Sequence, residues 1–325
     1  MLFAAALLAI AASAATTAPG IQVLPTVYEA GHFYAVPETT GGGSMKLLVD
    51  TGGGGGNGMY WITAAAAKRL HLKTGTCTLG DEHPTVAQLP DYRPDRGLPA
   101  PLPGPCGAVL MVTPHNYDVD GQLGAGYLPG RVWTFDYPAH RLVLEGPGWR
   151  PDPAAHDSTL GFPRDAEGKA TAGFARIAIR VDGRPLDMLL DTGATAHPTA
   201  AGKRASGTPT VDGFGVTSYI ATSVVDRWHK AHPDWRVVEK GDDLRPARPT
   251  RIIEVPAVEV AGWKVGPVWF TEQPDRAYHV FMASMMDKPV EGALGGNVFE
   301  HFAMTIDYPH ARAYFRCAVD CAAAH

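Results

Sequence analysis

Two aspartates in this chain sit in nearly the same setting. Leu47-Leu48-Val49-Asp50-Thr51-Gly52 and Met188-Leu189-Leu190-Asp191-Thr192-Gly193 each run from apolar residues into Asp-Thr-Gly. That pattern reads as a buried strand delivering a carboxylate into a tight turn. Two carboxylates brought into one cleft can share a proton: the ionised one draws a proton from water while the protonated one donates its own. One Asp-Thr-Gly is explained well enough as a strand followed by a turn. Two copies 141 residues apart, with the same apolar lead-in, point to duplication.

A duplicated unit carries its whole pattern. Downstream of Asp50 come Gln122-Leu123-Gly124 and Phe135-Asp136-Tyr137-Pro138. Downstream of Asp191 come Ala293-Leu294-Gly295 and Ile306-Asp307-Tyr308-Pro309, both features shifted by the same 171 residues. Upstream, residues 31–36 and 173–178 each open a hairpin that leads into the Asp strand. The chain is two versions of one unit, the second enlarged by insertion. Asp136 and Asp307, just before Tyr-Pro, are accounted for by turn chemistry.

With both motifs occurring twice and in order, the chain resembles the aspartic proteases of the pepsin and retropepsin type, in particular the bacterial retropepsin-like group that carries both halves in one chain. The resemblance covers nearly all of the chain after its leader. It implies a mainly β protein: two homologous β-barrel-like lobes of the acid protease fold, spanning residues 15–148 and 149–325, with an active-site cleft between them. Asp50 and Asp191 would be the catalytic pair. Thr51 and Thr192 would hydrogen-bond across the lobe interface, and Gly52 and Gly193 would let the backbone approach and donate toward the carboxylates. The family places Ala or Ser after Asp-Thr-Gly; the second copy has Ala194, but the first has Gly53. The missing side chain is expected to remove a hydrogen bond near the dyad and to loosen the turn. A hairpin flap over the substrate is expected near residues 211–219.

The start of the chain is read separately. Leu2 to Ala12 is too short an apolar run to span a bilayer, and Ala12-Ser13-Ala14 has the small-x-small pattern of a signal peptidase site. Residues 1–14 are therefore expected to be a signal peptide of a periplasmic or secreted protein. Only the initiator amine supplies positive charge there, which leaves an uncleaved anchor as the minority reading. Nothing later in the sequence reads as a membrane span. Of 325 residues, 28 are basic and 33 acidic, for a net charge of −5, which argues against nucleic acid as a partner. Four cysteines fit an oxidising compartment. Among three possible pairings, their distribution favours Cys77 with Cys106 and Cys317 with Cys321.

Other chemistries lack their residues. The glycine run from Gly52 to Gly58 has no Lys-Ser/Thr to complete a phosphate loop, and Gly124 to Gly130 is followed by a strand pattern where a dinucleotide site needs a helix. No GxSxG or HExxH occurs. His229 and His232 have metal-like spacing but no acidic or Cys partner beside them, so no metal and no cofactor is expected. Thr63 should cap a short helix from Ala64, and Ser223 a longer one ending before Pro233. Residues 81–105 read as a long surface loop, 146–153 as the passage between lobes, and 251–260 and 265–270 as paired strands.

The resemblance, with the expected leader, thus implies an exported aspartic endopeptidase acting on a peptide or protein substrate. One chain supplies both aspartates, so a monomer suffices. The alternative is a catalytically silent relative that binds peptides or cell-envelope polymers in the same cleft.

Overall fold

The computed structural model of the chain describes residues 20–54, 58–115 and 117–324. The expected signal peptide, and residues 55–57 of the glycine run, lie outside the described residues. Strands dominate. An eight-stranded sheet is drawn from the first half, a ten-stranded sheet from the second, and a six-stranded sheet takes strands from both.

The six-stranded sheet joins the halves. At its centre Val132–Asp136 pairs antiparallel with Phe302–Asp307, so that the strands leading into the two Asp-Tyr-Pro turns lie side by side about Thr134 and Thr305, with the turns at opposite ends. The hydroxyls of these threonines are 2.8 Å apart. Trp133, Phe135 and Ile306 on these strands are fully buried, so the interface is continuous with the core. Turn chemistry ends both strands: Asp136 accepts from the Ala139 N–H, and Asp307 from the His310 N–H.

The same strand crossing recurs in each half. Leu47–Val49 pairs parallel with Gly121–Leu123, which pairs antiparallel with Trp61–Thr63. Arg184–Leu190 likewise pairs parallel with Gly292–Leu294, which pairs antiparallel with Ser218–Ala221. The registers match: Leu48, Gln122 and Trp61 lie side by side in one lobe, and Leu189, Ala293 and Tyr219 in the other. The expected hairpins are present, with His32–Ala35 antiparallel to Leu47–Val49 and Arg176–Val181 antiparallel to Arg184–Leu190. Alternate burial along Arg176–Val181 shows a strand with one face in the core.

Both disulfides pair as expected, Cys77 with Cys106 and Cys317 with Cys321, with Cα separations of 5.7 and 6.0 Å. Thr63 caps the helix Ala64–Arg69 by accepting from the Ala66 N–H. No helix among the described residues is long and apolar enough to cross a membrane.

Four expectations are corrected. The longer helix spans Thr222–Ala231, and its cap is not the Ser223 side chain: the Ser223 N–H donates to the Asp275 carboxylate, 2.9 Å away. A distant acid thus does what a local hydroxyl was expected to do. Residues 81–105 are not all loop, because Thr85–Gln88 is a strand between Thr74–Thr76 and Val109–Thr113, with Ala87 buried. The proline-rich surroundings hide its short apolar pair. Residues 251–260 form two strands broken at Pro256, which has no N–H for the ladder. Thr250–Val255 pairs with Val268–Gln273, whereas Val258–Val260 joins Arg176–Val181 and Trp263–Val265. Finally, of the segment expected as a flap only residues 211–214 stand out as a surface turn, closed by a Val211–Phe214 bridge, whereas 215–218 are buried and Ser218–Ala221 runs inside the ten-stranded sheet.

Candidate active site

The two Asp-Thr-Gly turns meet at the junction of the lobes. Each Asp follows the last residue of its strand, and its N–H donates across the strand crossing, Asp50 to the Leu123 carbonyl at 3.0 Å and Asp191 to the Leu294 carbonyl at 2.9 Å. The hydrophobic-Gly repeat is therefore the rail on which each carboxylate is set. Within each turn the glycine N–H donates back: Gly52 to Asp50 Oδ1 at 2.8 Å, Gly193 to Asp191 Oδ1 at 3.0 Å.

Across the interface, the Thr51 hydroxyl donates to the Leu190 carbonyl at 2.7 Å and accepts from the Thr192 N–H at 3.0 Å. The Thr192 hydroxyl donates to the Val49 carbonyl at 2.8 Å and accepts from the Thr51 N–H at 3.1 Å. Both threonines are buried, so these bonds are formed away from competing water. The glycines explain the close approach. A Cβ on Gly52 would collide with the Asp191 carboxyl, and one on Gly193 with the Asp50 carboxyl. Each carboxyl therefore lies against the glycine of the opposite turn, close enough for the charge of Asp50 to act on Asp191.

Electrostatics follow from this placement. Loss of solvent raises the Asp50 carboxyl above the ordinary range, against the pull of Asp191, the Gly52 and Gly53 N–H groups and Gln122. Loss of solvent, together with the charge of Asp50, raises Asp191 further. Like charges so close cannot both persist, and the pair titrates as a unit. This is a two-lobed aspartic protease fold.

No family model matches the chain, and no curated protein matches it. Among solved structures, it is similar to basic 7S globulin from soybean, at 10% identity over 92% of this chain and 95% of that one, with a TM-score of 0.47. Conglutin gamma, a basic 7S globulin from lupine seeds, gives 12% identity over 92% and 95%, with a TM-score of 0.44. An aspartic proteinase from Irpex lacteus gives 12% over 92% and 98%, with a TM-score of 0.48.

Three residues at the site escaped the sequence reading. Gln122 donates its side-chain N–H to Asp50 Oδ2, and its carbonyl oxygen accepts from Trp61 Nε1 at 2.7 Å. The expectation that Gly53 leaves Asp50 short of a hydrogen bond is thus corrected, since Gln122 supplies one. Its place in the first hydrophobic-Gly repeat, where the second has Ala293, was the available signal. His32, 2% exposed, reaches from the first lobe to the second, its Nε2 lying 3.1 Å from the Thr195 hydroxyl. Burial pushes its imidazole down to about 4, so it is neutral above that pH. Tyr219 braces the same loop, its hydroxyl accepting from the Thr195 N–H and donating to the Thr195 carbonyl. The two histidines singled out for their spacing lie elsewhere: His229 is exposed, and His232 stacks on Trp235 and bonds Asp182.

Proposed function

We propose that this chain is an exported aspartic endopeptidase, with Asp50 and Asp191 as its catalytic pair. The observation that carries the reading is the placing of two carboxyls, delivered by separate lobes, each against the glycine of the opposite Asp-Thr-Gly turn, with the turns held together by the Thr51–Thr192 grip. With one proton shared, the ionised carboxylate takes a proton from water, which attacks the peptide carbonyl carbon. The protonated carboxyl donates to the carbonyl oxygen, and the resulting gem-diol collapses as the proton passes to the leaving nitrogen. Both groups come from one chain, so no second copy is needed. Thr51, Gly52, Thr192 and Gly193 fix the spacing. Two disulfides support an oxidising location, periplasmic or secreted.

One observation favours the alternative of a silent peptide-binding cleft, namely that the Gln122 amide occupies Asp50 Oδ2. The test is digestion of a mixed peptide library from acidic to neutral pH by the wild type, Asp50→Asn and Asp191→Asn. Cleavage by the wild type, lost in both variants and blocked by a statine-type transition-state mimic, is expected. Peptide binding without cleavage at any pH would establish the silent cleft instead.

A further inference from the structure

We propose that Gln122, held by Trp61, is a positioning residue that fixes Asp50 as the ionised member of the pair, in place of a side chain at position 53. The proposal rests on the aspartic protease reading above.

The orientation of the Gln122 amide is set by chemistry. An indole N–H can only donate, so the group 2.7 Å from Trp61 Nε1 is the Gln122 oxygen. The amide nitrogen then faces Asp50 Oδ2. An N–H aimed at this oxygen favours the carboxylate, because a proton placed there would meet another donor. Trp61 is buried and Gln122 is 7% exposed, so water does not compete freely for either bond.

Comparison of the lobes isolates the effect. Asp191 receives the backbone N–H of Gly193, and Asp50 that of Gly52. At the position equivalent to Gln122 the second lobe has Ala293, and at that of Trp61 it has Tyr219. The extra side-chain donor therefore belongs to Asp50 alone. The charge of Asp50 acts on Asp191, Tyr219 and Tyr308, none of them a cation. Sterics explain Gly53 as well. A Cβ there would collide with both Gln122 Nε2 and Asp50 Oδ2. Positions 53 and 122 share one volume, so a side chain at one excludes the glutamine at the other.

The test uses the full chain with 13C-labelled aspartate, titrated by NMR, alongside the pH profile of kcat/KM for a cleaved peptide. Gln122→Met keeps the bulk and removes the N–H. The lower midpoint of the dyad should rise, the acid limb of kcat/KM should move up with it, and kcat should fall roughly ten-fold with little change in KM. Gly53→Ser alone should be more damaging than Gly53→Ser combined with Gln122→Ala, because the hydroxyl reaches Asp50 once the glutamine is gone. The combined variant should also hold the lower midpoint below that of Gln122→Ala. An unmoved lower midpoint in Gln122→Met, or no recovery in the combined variant, overturns the proposal. The titration needs no turnover: a wild type that cleaves nothing defeats the protease reading, while the midpoints still decide the role of Gln122.

Discussion

Thr51 and Thr192 each hold the other's backbone: each hydroxyl accepts from the opposite N–H and donates to a carbonyl of the opposite strand. Thr51→Val therefore strands two buried groups, the Thr192 N–H and the Leu190 carbonyl. The expected cost is about 2–6 kcal/mol, since each of the two unsatisfied buried groups costs about 1–3. Thr51→Ser keeps the hydroxyl and should lose far less. Urea unfolding of the three proteins checks this, and equal midpoints for Thr51→Val and wild type would remove the grip from the argument.

The dyad should cost stability at neutral pH. Burial and the Asp50 charge raise the Asp191 carboxyl well above its ordinary value of 3.8. A group whose folded pKa is raised stabilises fully below its unfolded pKa, and that contribution is lost as pH rises through the folded pKa. Asp191→Asn removes the titration and presents an amide N–H to Asp50. Its melting midpoint should lie above the wild type's at neutral pH, and the gap should close in acid below 3.8. A gap that widens toward acid would contradict the sign.

His32 works in the opposite direction. Its folded pKa is about 4 against an ordinary 6.5, because burial disfavours the cation. Between those values the unfolded chain binds a proton that the folded chain does not, so stability falls as pH drops from 6.5 to 4. On going from neutral pH to pH 4, the wild type should lose about 3 kcal/mol more than His32→Gln. Denaturant midpoints at the two pH values measure the difference, and parallel losses would place His32 outside the pH response.

The two disulfides should contribute unequally. Cys77 and Cys106 close a loop with a sequence separation of 29, Cys317 and Cys321 one of 4. Chain-entropy reasoning assigns about 3–4 kcal/mol to the first and about 2 to the second. Replacing each pair by serines and comparing unfolding free energies tests the order, which a larger loss at the tail would reverse.

The duplication, the β-rich lobes, the cysteine pairing and the meeting of Asp50 with Asp191 were legible along the chain. The duplication is written as short apolar runs ending in turns, repeated in the same order, and the pairing in the clustering of the four cysteines along the chain; such local patterns survive without knowledge of distant contacts. Where the signal was not local, the reading failed. The cap of Thr222–Ala231 comes from Asp275, 52 residues beyond Ser223. Thr85–Gln88 becomes a strand because neighbours on both sides offer it a ladder.

Position 53 marks the division most clearly. The sequence by itself determined that an aspartate would stand at each of two equivalent turns, and that the first lacked a side chain after Asp-Thr-Gly. Only the tertiary structure decided what filled the space: Gln122, 72 residues from Asp50, held by Trp61, 61 residues from the glutamine. The strand crossing puts these residues side by side, and close packing lets one volume be filled from either strand. An exchange of volume between distant strands leaves no periodic trace in the sequence, so the partner that completes the Asp50 hydrogen bonds became visible only once the chain was folded.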